Sequence, residues 1–298
     1  MAIISQIQGG LGNQMFQYAF GRSMALKYET SLFLDERWFH TSIDEVTPRE
    51  FLLPKMRIQA KIASYDGFSG SPSRLRKVAQ CFLPISPFVV QEKKAFISDT
   101  NWFHLHCFAS QDFYVRGYWQ SYKYFSQIRP ELLDEFTPCN PIGTHYENYH
   151  SQILAQDSTM VHVRRGDYVS LPGAAKVHGG LVNLSYYQRA MDWVLARKPH
   201  THFYIFSDDL EWAKVNLPHA ERSTYVNNAL ECDAAVKELA LMKACKNHII
   251  ANSSLSWWGA WLAEPHLALR SIVICPQRWT NDSKAIWNDL LLPAWQKL

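Results

Sequence analysis

The sequence has few cysteines and none in a paired motif. The 6 cysteines occur singly, at Cys81, Cys107, Cys139, Cys232, Cys245 and Cys275. This spacing suggests neither a zinc site nor a disulfide framework, so reduced thiols are expected. The sequence also lacks a basic, apolar leader and any apolar run of about 18 residues. We therefore expect a cytoplasmic protein, with Arg74–Phe88, which mixes basic and aromatic residues, available for peripheral association with the inner membrane.

An excess of one charge is also absent. The 30 Lys and Arg residues against 27 Asp and Glu give a net charge of +3, too little for a general nucleic-acid or membrane field. An anionic partner must therefore be held locally. With 47% apolar and 19% charged residues, the chain is not disordered, and 298 residues are enough for two domains.

The pattern along the chain predicts two α/β domains. A strand at Ile3–Ile7, a glycine-rich loop, a helix at Met15–Tyr28 and a strand at Ser31–Asp35 open the sequence. The Pro-, Gly- and Asn-containing segment Pro138–Tyr149 is interpreted as a linker. The predicted domains are residues 1–150 and residues 151–298. The topology of residues 38–150 is not predicted.

From Thr159 onward, short apolar strands alternate regularly with helices of about ten residues, which predicts parallel βαβ units. The expected strands are Thr159–Val163, His202–Phe206, Ser223–Val226, His248–Ala251 and Ser271–Cys275. The expected helices are Ser185–Arg197, Asp209–Asn216, Asp233–Cys245 and Leu255–Ala263. Two such halves would form a pair of Rossmann-like domains with a cleft between them.

Three polar motifs follow strands of this predicted second sheet. Arg164 and Arg165 end the first strand, and arginine forks match phosphate oxygens. Asp208 follows the next strand, where a carboxylate can accept the two adjacent N–H groups of a guanine edge. Ser253 and Ser254 precede a helix, whose start binds phosphate through hydroxyl and N–H groups. The structural alternatives are an Arg–Asp167 turn, helix capping by Asp208 or Asp209, and capping by Ser253 or Ser254.

The N-terminal loop Gly9–Asn13 is an incomplete dinucleotide fingerprint. Met15 stands in place of the third glycine, although Asp35 is suitably distant for a ribose contact. Asn13 and Gln14 can both donate and accept hydrogen bonds, which suits sugar hydroxyls. We favour a polar loop facing a ligand, with a structural turn and an NAD site as alternatives.

Together these motifs resemble those of bacterial α-1,2-fucosyltransferases of glycosyltransferase family 11. The resemblance spans nearly the whole chain: GGLGNQMFQYAFG at 9–21, HVRRGDY at 162–168, FSDD at 206–209 and NSSLSWWGAWL at 252–262. It implies a GT-B-like α/β fold and inverting, metal-independent transfer of L-fucose from GDP-β-L-fucose to O-2 of a terminal β-galactose. The acceptor would be a glycan such as lactose or an O-antigen. The adjacency of Asp208 and Asp209 fits the absence of a D-x-D metal site.

The resemblance makes residues 1–150 the acceptor-side domain and residues 151–298 the GDP-fucose-binding domain, and it implies roles for single residues. Arg164 resembles the arginine that holds the β-phosphate, with His162 and Arg165 its neighbours in the H-x-R-R pattern. Asp208 resembles the guanine-contacting carboxylate, and Ser253, Ser254 and the Leu255 backbone resemble the phosphate-binding segment. Asn13 resembles an asparagine that faces the reacting sugar.

The general base is not identified by these motifs. In related α-1,6 enzymes a glutamate follows the arginine motif, but Pro172 stands in its place here. Asp167 and His178 are the nearest substitutes, and the third possibility is that the phosphate itself takes the proton.

The sequence is also compatible with other functions. They are fucosyl transfer with another linkage or donor, a noncatalytic carbohydrate-binding protein of the same fold, and an NAD-dependent enzyme. The acceptor and the oligomeric state are not predicted. Four aromatic residues, Trp102, His104, Tyr118 and Trp119, are candidates to line an acceptor site.

Overall fold

The computed structural model describes residues 1–41, 48–63, 88–99, 112–227, 233–263 and 271–298. The chain divides into two compact units. The first contains nearly all described residues up to Phe136, and the second contains Lys55–Arg57 and Thr137–Leu298. The predicted boundary at residue 150 falls within a helix of the second unit, Thr144–Ala155, and the predicted linker Pro138–Tyr149 is therefore wrong over its last residues. Trp102, His104 and most of Arg74–Phe88 lie outside the described residues.

The first unit is built on a parallel sheet. Its strands are β1 (Ala2–Gln6), β2 (Ser31–Asp35), β3 (Lys61–Ile62), β4 (Phe88–Gln91) and β5 (Phe113–Arg116), in the order β3-β2-β1-β5-β4. Helix α1 (Leu11–Lys27) connects β1 to β2, and α2 (Arg129–Glu135) follows β5. The predicted opening of this unit is confirmed, except that α1 begins at Leu11 and so includes Gly12 and Asn13.

A buried polar network joins α1 to α2. The Tyr18 hydroxyl donates to Glu135 at 2.6 Å, and Arg22 forms an ion pair with the same carboxylate at 2.8 Å. Burial, reinforced by the adjacent Glu135, raises the pKa of Tyr18 well above its usual value. The network keeps these polar groups paired inside the unit, as buried charges require.

The second unit contains another parallel sheet, which alternates with helices as predicted. Its strands are β6 (Ser158–Val163), β7 (His202–Ser207), β8 (Ser223–Tyr225), β9 (Asn247–Ile249), β10 (Val273–Cys275) and β11 (Gln296–Lys297), in the order β11-β10-β9-β6-β7-β8. Its helices are α3 (Thr144–Ala155), α4 (Gly166–Ser170), α5 (Pro172–His178), α6 (Leu184–Leu195), α7 (Leu210–Asn216), α8 (Ala234–Ala244) and α9 (Ser254–Trp261). The predicted α/β class with two Rossmann-like sheets is confirmed.

The two faces of this sheet are covered by different helices. Val161 and Val163 pack with Tyr187 of α6 on one face. Side chains alternate along a strand, so His162, between these valines, points to the opposite face. His248 occupies that opposite face on β9, and its Nε2 lies 3.0 Å from the main-chain oxygen of Met242 in α8. Helix α8 therefore covers the face to which His162 points.

Within the parts of the chain that the structure describes, no helix is long and apolar enough to cross a bilayer. The three tryptophans of α9, Trp257, Trp258 and Trp261, are buried. They form part of the core of the second unit.

Candidate active site

The carboxyl ends of β6, β7 and β9 bring the three polar motifs to one edge of the second sheet. These strands are neighbours in the order β9-β6-β7, and their pairings are parallel. Arg164 follows β6, Asp208 follows β7, and Ser253 follows β9. This edge is where open α/β sheets bind ligands.

Asp208 organises the arginine motif. Its Oδ2 pairs with Arg164 Nη1 at 2.9 Å, and its Oδ1 accepts the main-chain N–H of Arg165 at 2.8 Å. Gly166 permits this approach, because a Cβ atom there would lie 2.8 Å from Asp208 Oδ2. Asp208 therefore fixes both the guanidinium of Arg164 and the backbone beside it.

The side chain of Arg165 is held by a different partner. Its Nε lies 3.2 Å from Asp209 Oδ2, and its guanidinium stacks 3.9 Å above the ring of Trp212. Asp209 also caps α7 by accepting the N–H of Trp212. Helix capping by Asp209, the structural alternative for the FSDD motif, is therefore confirmed. The alternative of an Arg–Asp167 turn stays a prediction, because the Asp167 side chain lies outside the described residues.

His162 is buried beside the Arg164–Asp208 pair. Burial lowers its pKa to about 4; the charge of Asp208 acts in the opposite direction, and that of Arg164 reinforces the lowering. The imidazole is therefore neutral at pH 7. Its Nδ1 is buried and has no hydrogen-bond partner among the described residues.

A carboxylate that the sequence motifs did not identify lies close to the same pair. Glu238 is on α8, one turn before Met242 and on the same side of the helix. Its side chain is partly exposed to solvent. Burial is the main cause that raises the pKa of Glu238 to about 7; the negative charge of Asp208 also raises it, and the positive charge of Arg164 lowers it. Glu238 makes no hydrogen bond or ion pair with the rest of the described chain. The signal in the sequence is its position on the apolar side of α8, next to Leu239 and Met242.

The start of α9 is open in the way that a phosphate-binding segment requires. Helix α9 begins at Ser254, and the Ser253 hydroxyl makes no capping hydrogen bond with any described residue. Ser253, Ser254 and Leu255 are all partly exposed. Capping by Ser253 or Ser254, the alternative raised by the sequence, is therefore not what the described contacts show.

The predicted residue Asn13 belongs to the first unit. Its Oδ1 accepts a hydrogen bond from Gln120 Nε2 at 2.9 Å. Nearby on the same chain segment, Tyr118 is exposed, whereas Trp119 is buried against Phe20 at a ring distance of 3.9 Å. Trp119 is therefore a core residue, and its suggested role in lining an acceptor site is wrong.

Asp35, the residue that would contact the ribose of NAD, is already paired within the protein. Asp35 is buried, and its carboxylate pairs with Arg37 at 2.6 Å and accepts the Tyr114 hydroxyl at 2.6 Å. Burial alone would raise the pKa of Asp35, but these hydrogen bonds lower it overall. The carboxylate is thus occupied by structural partners.

The family model of glycosyl transferase family 11 matches residues 4–298. The chain belongs to glycosyltransferase family 11. Two Escherichia coli relatives are each 30% identical: the O-antigen biosynthesis glycosyltransferase WbnK, over 99% of both chains, and an alpha-1,2-colitosyltransferase, over 95% of this chain and 99% of its own. The Bos taurus galactoside 2-alpha-L-fucosyltransferase SEC1 is 32% identical over 50% of this chain and 42% of its own.

The fold also resembles a solved structure. A mutant of Arabidopsis thaliana FUT1 in complex with GDP superposes with a TM-score of 0.53 and 12% identity, over 92% of this chain and 70% of that chain. This similarity supports the predicted GT-B-like fold class. As a member of family 11, the chain is a glycosyltransferase.

Of the two candidate general bases of this family 11 enzyme, the structure describes the side chain of His178 but not that of Asp167. The side chain of Asp167 lies outside the described residues. His178 ends α5, stacks on Tyr168 at a ring distance of 4.9 Å, and places Nδ1 3.4 Å from the main-chain oxygen of Trp279. Both remain predictions, as does the third possibility of proton transfer to phosphate.

Replacing Asp208 with asparagine tests the organising contact. We expect the free energy of unfolding to fall by about 1 kcal/mol, because the neutral amide would lack the charge that holds Arg164. The rate of glycosyl transfer should fall by about tenfold, since the Arg164 guanidinium would lose its ion pair with Asp208. Thermal unfolding and initial rates measure both. D192N removes the exposed carboxylate that pairs with His219 and should leave the transfer rate unchanged.

Proposed function

We propose that this enzyme transfers L-fucose from GDP-β-L-fucose to O-2 of a terminal β-galactose, with inversion at the sugar carbon. The observation that carries the proposal is the convergence of Arg164, Asp208 and the open start of α9 at one sheet edge. Arginine and helix N–H groups are the partners that a diphosphate requires. A lectin of the same fold would have no use for them.

Arg164 supplies the main catalytic effect in this proposal. As the bond between C1 of fucose and the β-phosphate oxygen breaks, negative charge grows on that phosphate, and the acceptor oxygen bonds to C1 from the opposite face. A guanidinium already fixed by Asp208 stabilises this charge more in the transition state than in the ground state. The hydroxyl proton passes to His178, to Asp167 or to a phosphate oxygen.

We assign recognition of the guanine edge to Glu238 in preference to Asp208. Both oxygens of Asp208 already accept hydrogen bonds from the arginine motif. Glu238 has no such partner within the described residues, and it lies close enough to Asp208 and Arg164 for both charges to act on its pKa. A carboxylate there can accept the N1–H and N2–H groups of guanine. The neutral His162, which interacts with the same Arg164–Asp208 pair, would complete a polar pocket.

Titration with nucleotides tests the donor class. The temperature of thermal unfolding should rise when GDP or GDP-fucose is added, because each ligand binds only the folded state. NAD should produce no shift. Stabilisation by NAD alone would contradict the proposal and restore the dinucleotide alternative.

The donor sugar has one specific competitor. A relative that matches over nearly its full length is an alpha-1,2-colitosyltransferase, and colitose is L-fucose without the hydroxyl at C3. Initial rates with GDP-fucose and GDP-colitose at equal concentrations would separate the two donors. We expect GDP-fucose to be preferred, and a clear preference for GDP-colitose would reassign the donor.

We expect transfer to proceed without a metal ion. In this proposal Arg164 and the start of α9 neutralise the diphosphate, a task that a divalent cation performs in metal-dependent transferases. Initial rates with added EDTA should equal those without it. A large loss in EDTA, restored by Mg²⁺ or Mn²⁺, would show that a cation takes part.

A further inference from the structure

Tyr168 contacts two of the polar segments at the sheet edge. Its ring centroid lies 5.7 Å from Arg164 Cζ, and its hydroxyl donates to the main-chain oxygen of Asn252 at 3.0 Å. The same ring stacks on His178 at 4.9 Å with an angle of 18° between the planes. One side chain thus touches the arginine motif, the end of α5 and the segment that leads into α9.

Asn252 is itself firmly placed. The residue is buried, and its side-chain amide donates to the main-chain oxygens of His178 at 3.1 Å and Trp279 at 3.2 Å. It directly precedes Ser253 and the start of α9. The Tyr168 hydroxyl therefore bonds to a fixed point adjacent to the phosphate-binding segment.

The arginine motif needs such support. Helix α4, which carries Tyr168, spans only Gly166–Ser170, too short to be rigid by itself. Asp208 holds the Arg164 guanidinium at one nitrogen. A contact with an aromatic ring restrains the guanidinium from a second direction. A charge that must act on a departing phosphate is effective only when it is held in place beforehand.

We propose that Tyr168 is a positioning residue for Arg164. Its ring contacts the guanidinium of Arg164. Its hydroxyl, bonded to Asn252, fixes the position of that ring relative to the segment that begins at Ser253. This inference rests on the proposed role of Arg164 at the diphosphate.

Two substitutions separate the ring from the hydroxyl. Y168F keeps the ring and should lower kcat by roughly threefold, the effect of one neutral hydrogen bond. Y168L removes both contacts and should lower kcat by roughly tenfold to thirtyfold, with a much smaller change in the KM for GDP-fucose. The partial recovery from leucine to phenylalanine is the expected signature of the ring.

Tyr186 provides a matched control. Its hydroxyl donates to the main-chain oxygen of Ile250 at 2.7 Å, on the same segment, but the residue is buried in the core of the second unit. Y186F removes the same group and should lower the unfolding temperature without lowering kcat. If Y186F lowered kcat as much as Y168F, the effect would be structural and the inference would be overturned.

A double-mutant cycle with Arg164 decides between positioning and an independent effect. In an R164A background, Y168L should cause almost no further loss of kcat, because the group it positions is gone. Losses that multiply would overturn the inference while leaving the proposed function intact. If the unaltered enzyme neither bound GDP nor used GDP-fucose, the proposed function would fail first, and the inference would fail with it.

Discussion

Replacing Arg164 with alanine is expected to lower kcat with GDP-fucose by at least about a hundredfold. The expected cost is about 3 to 4 kcal/mol of transition-state stabilisation, similar to the loss of an oxyanion donor. The fold should persist, because Arg164 is a partly exposed residue at a strand end and Asp208 would still bind the Arg165 N–H. Initial rates and circular dichroism measure the two effects.

Arg197 offers a matched control for this prediction. Its guanidinium also stacks on an aromatic ring, that of Trp193 at 3.5 Å, but it lies just beyond the end of α6 and away from the polar motifs. R197A should leave kcat unchanged. Near-normal turnover by folded R164A would contradict the assignment of Arg164 to the leaving phosphate.

Replacing Glu238 with glutamine is expected to weaken GDP binding by about tenfold to a hundredfold. The ionised carboxylate can accept two N–H bonds from guanine, whereas a glutamine amide would turn one N–H group toward the base. Charged hydrogen bonds of this kind contribute about 1.5 to 3 kcal/mol. Calorimetric titration with GDP measures the loss. E211Q, which changes an exposed carboxylate on α7, is the control.

The pH dependence of GDP binding gives a second test of Glu238. Only the ionised carboxylate accepts both N–H bonds, and the pKa of the unliganded group is raised by burial to about 7. GDP affinity should therefore fall as the pH decreases below 7, by up to about tenfold per pH unit. E238Q should show a smaller dependence, namely that of the terminal phosphate of GDP, whose second pKa is about 6. Inosine diphosphate, which has no N2 amino group, should bind the unaltered enzyme less well than GDP, and E238Q should reduce that difference.

If E238Q bound GDP as tightly as the unaltered enzyme, the base edge would be read elsewhere. Asp208 would then be the first alternative, because the sequence motif already suggests it. D208N would reveal that role through the same comparison of GDP with inosine diphosphate.

Regular patterns in the sequence were sufficient to predict the second sheet and the edge at which ligands bind. Strands β6, β7 and β9 are short apolar runs, each followed by polar residues, so the placement of Arg164, Asp208 and Ser253 at one edge followed from parallel topology alone. The predicted alternation of strands and helices is confirmed over residues 158–163 and 184–261, apart from segments outside the described residues.

Features that depend on three-dimensional packing could not be predicted in this way. Helices α4 and α5 carry Gly166, Pro172 and Gly173, which favour a loop in any local interpretation. The engagement of both Asp208 oxygens is a contact between distant segments and has no local signature. Glu238 resembles an ordinary surface residue of a helix until the packing of α8 on the sheet is known.

Product analysis with a blocked acceptor tests the central proposal most directly. The enzyme would be incubated with GDP-β-L-fucose and either lactose or a lactose derivative methylated at O-2 of galactose. We predict a single fucosylated product from lactose, with an α-1,2 linkage by NMR, and no product from the blocked derivative. Equal transfer to both acceptors would contradict the proposed linkage, and no transfer to any β-galactoside would contradict the proposed acceptor class.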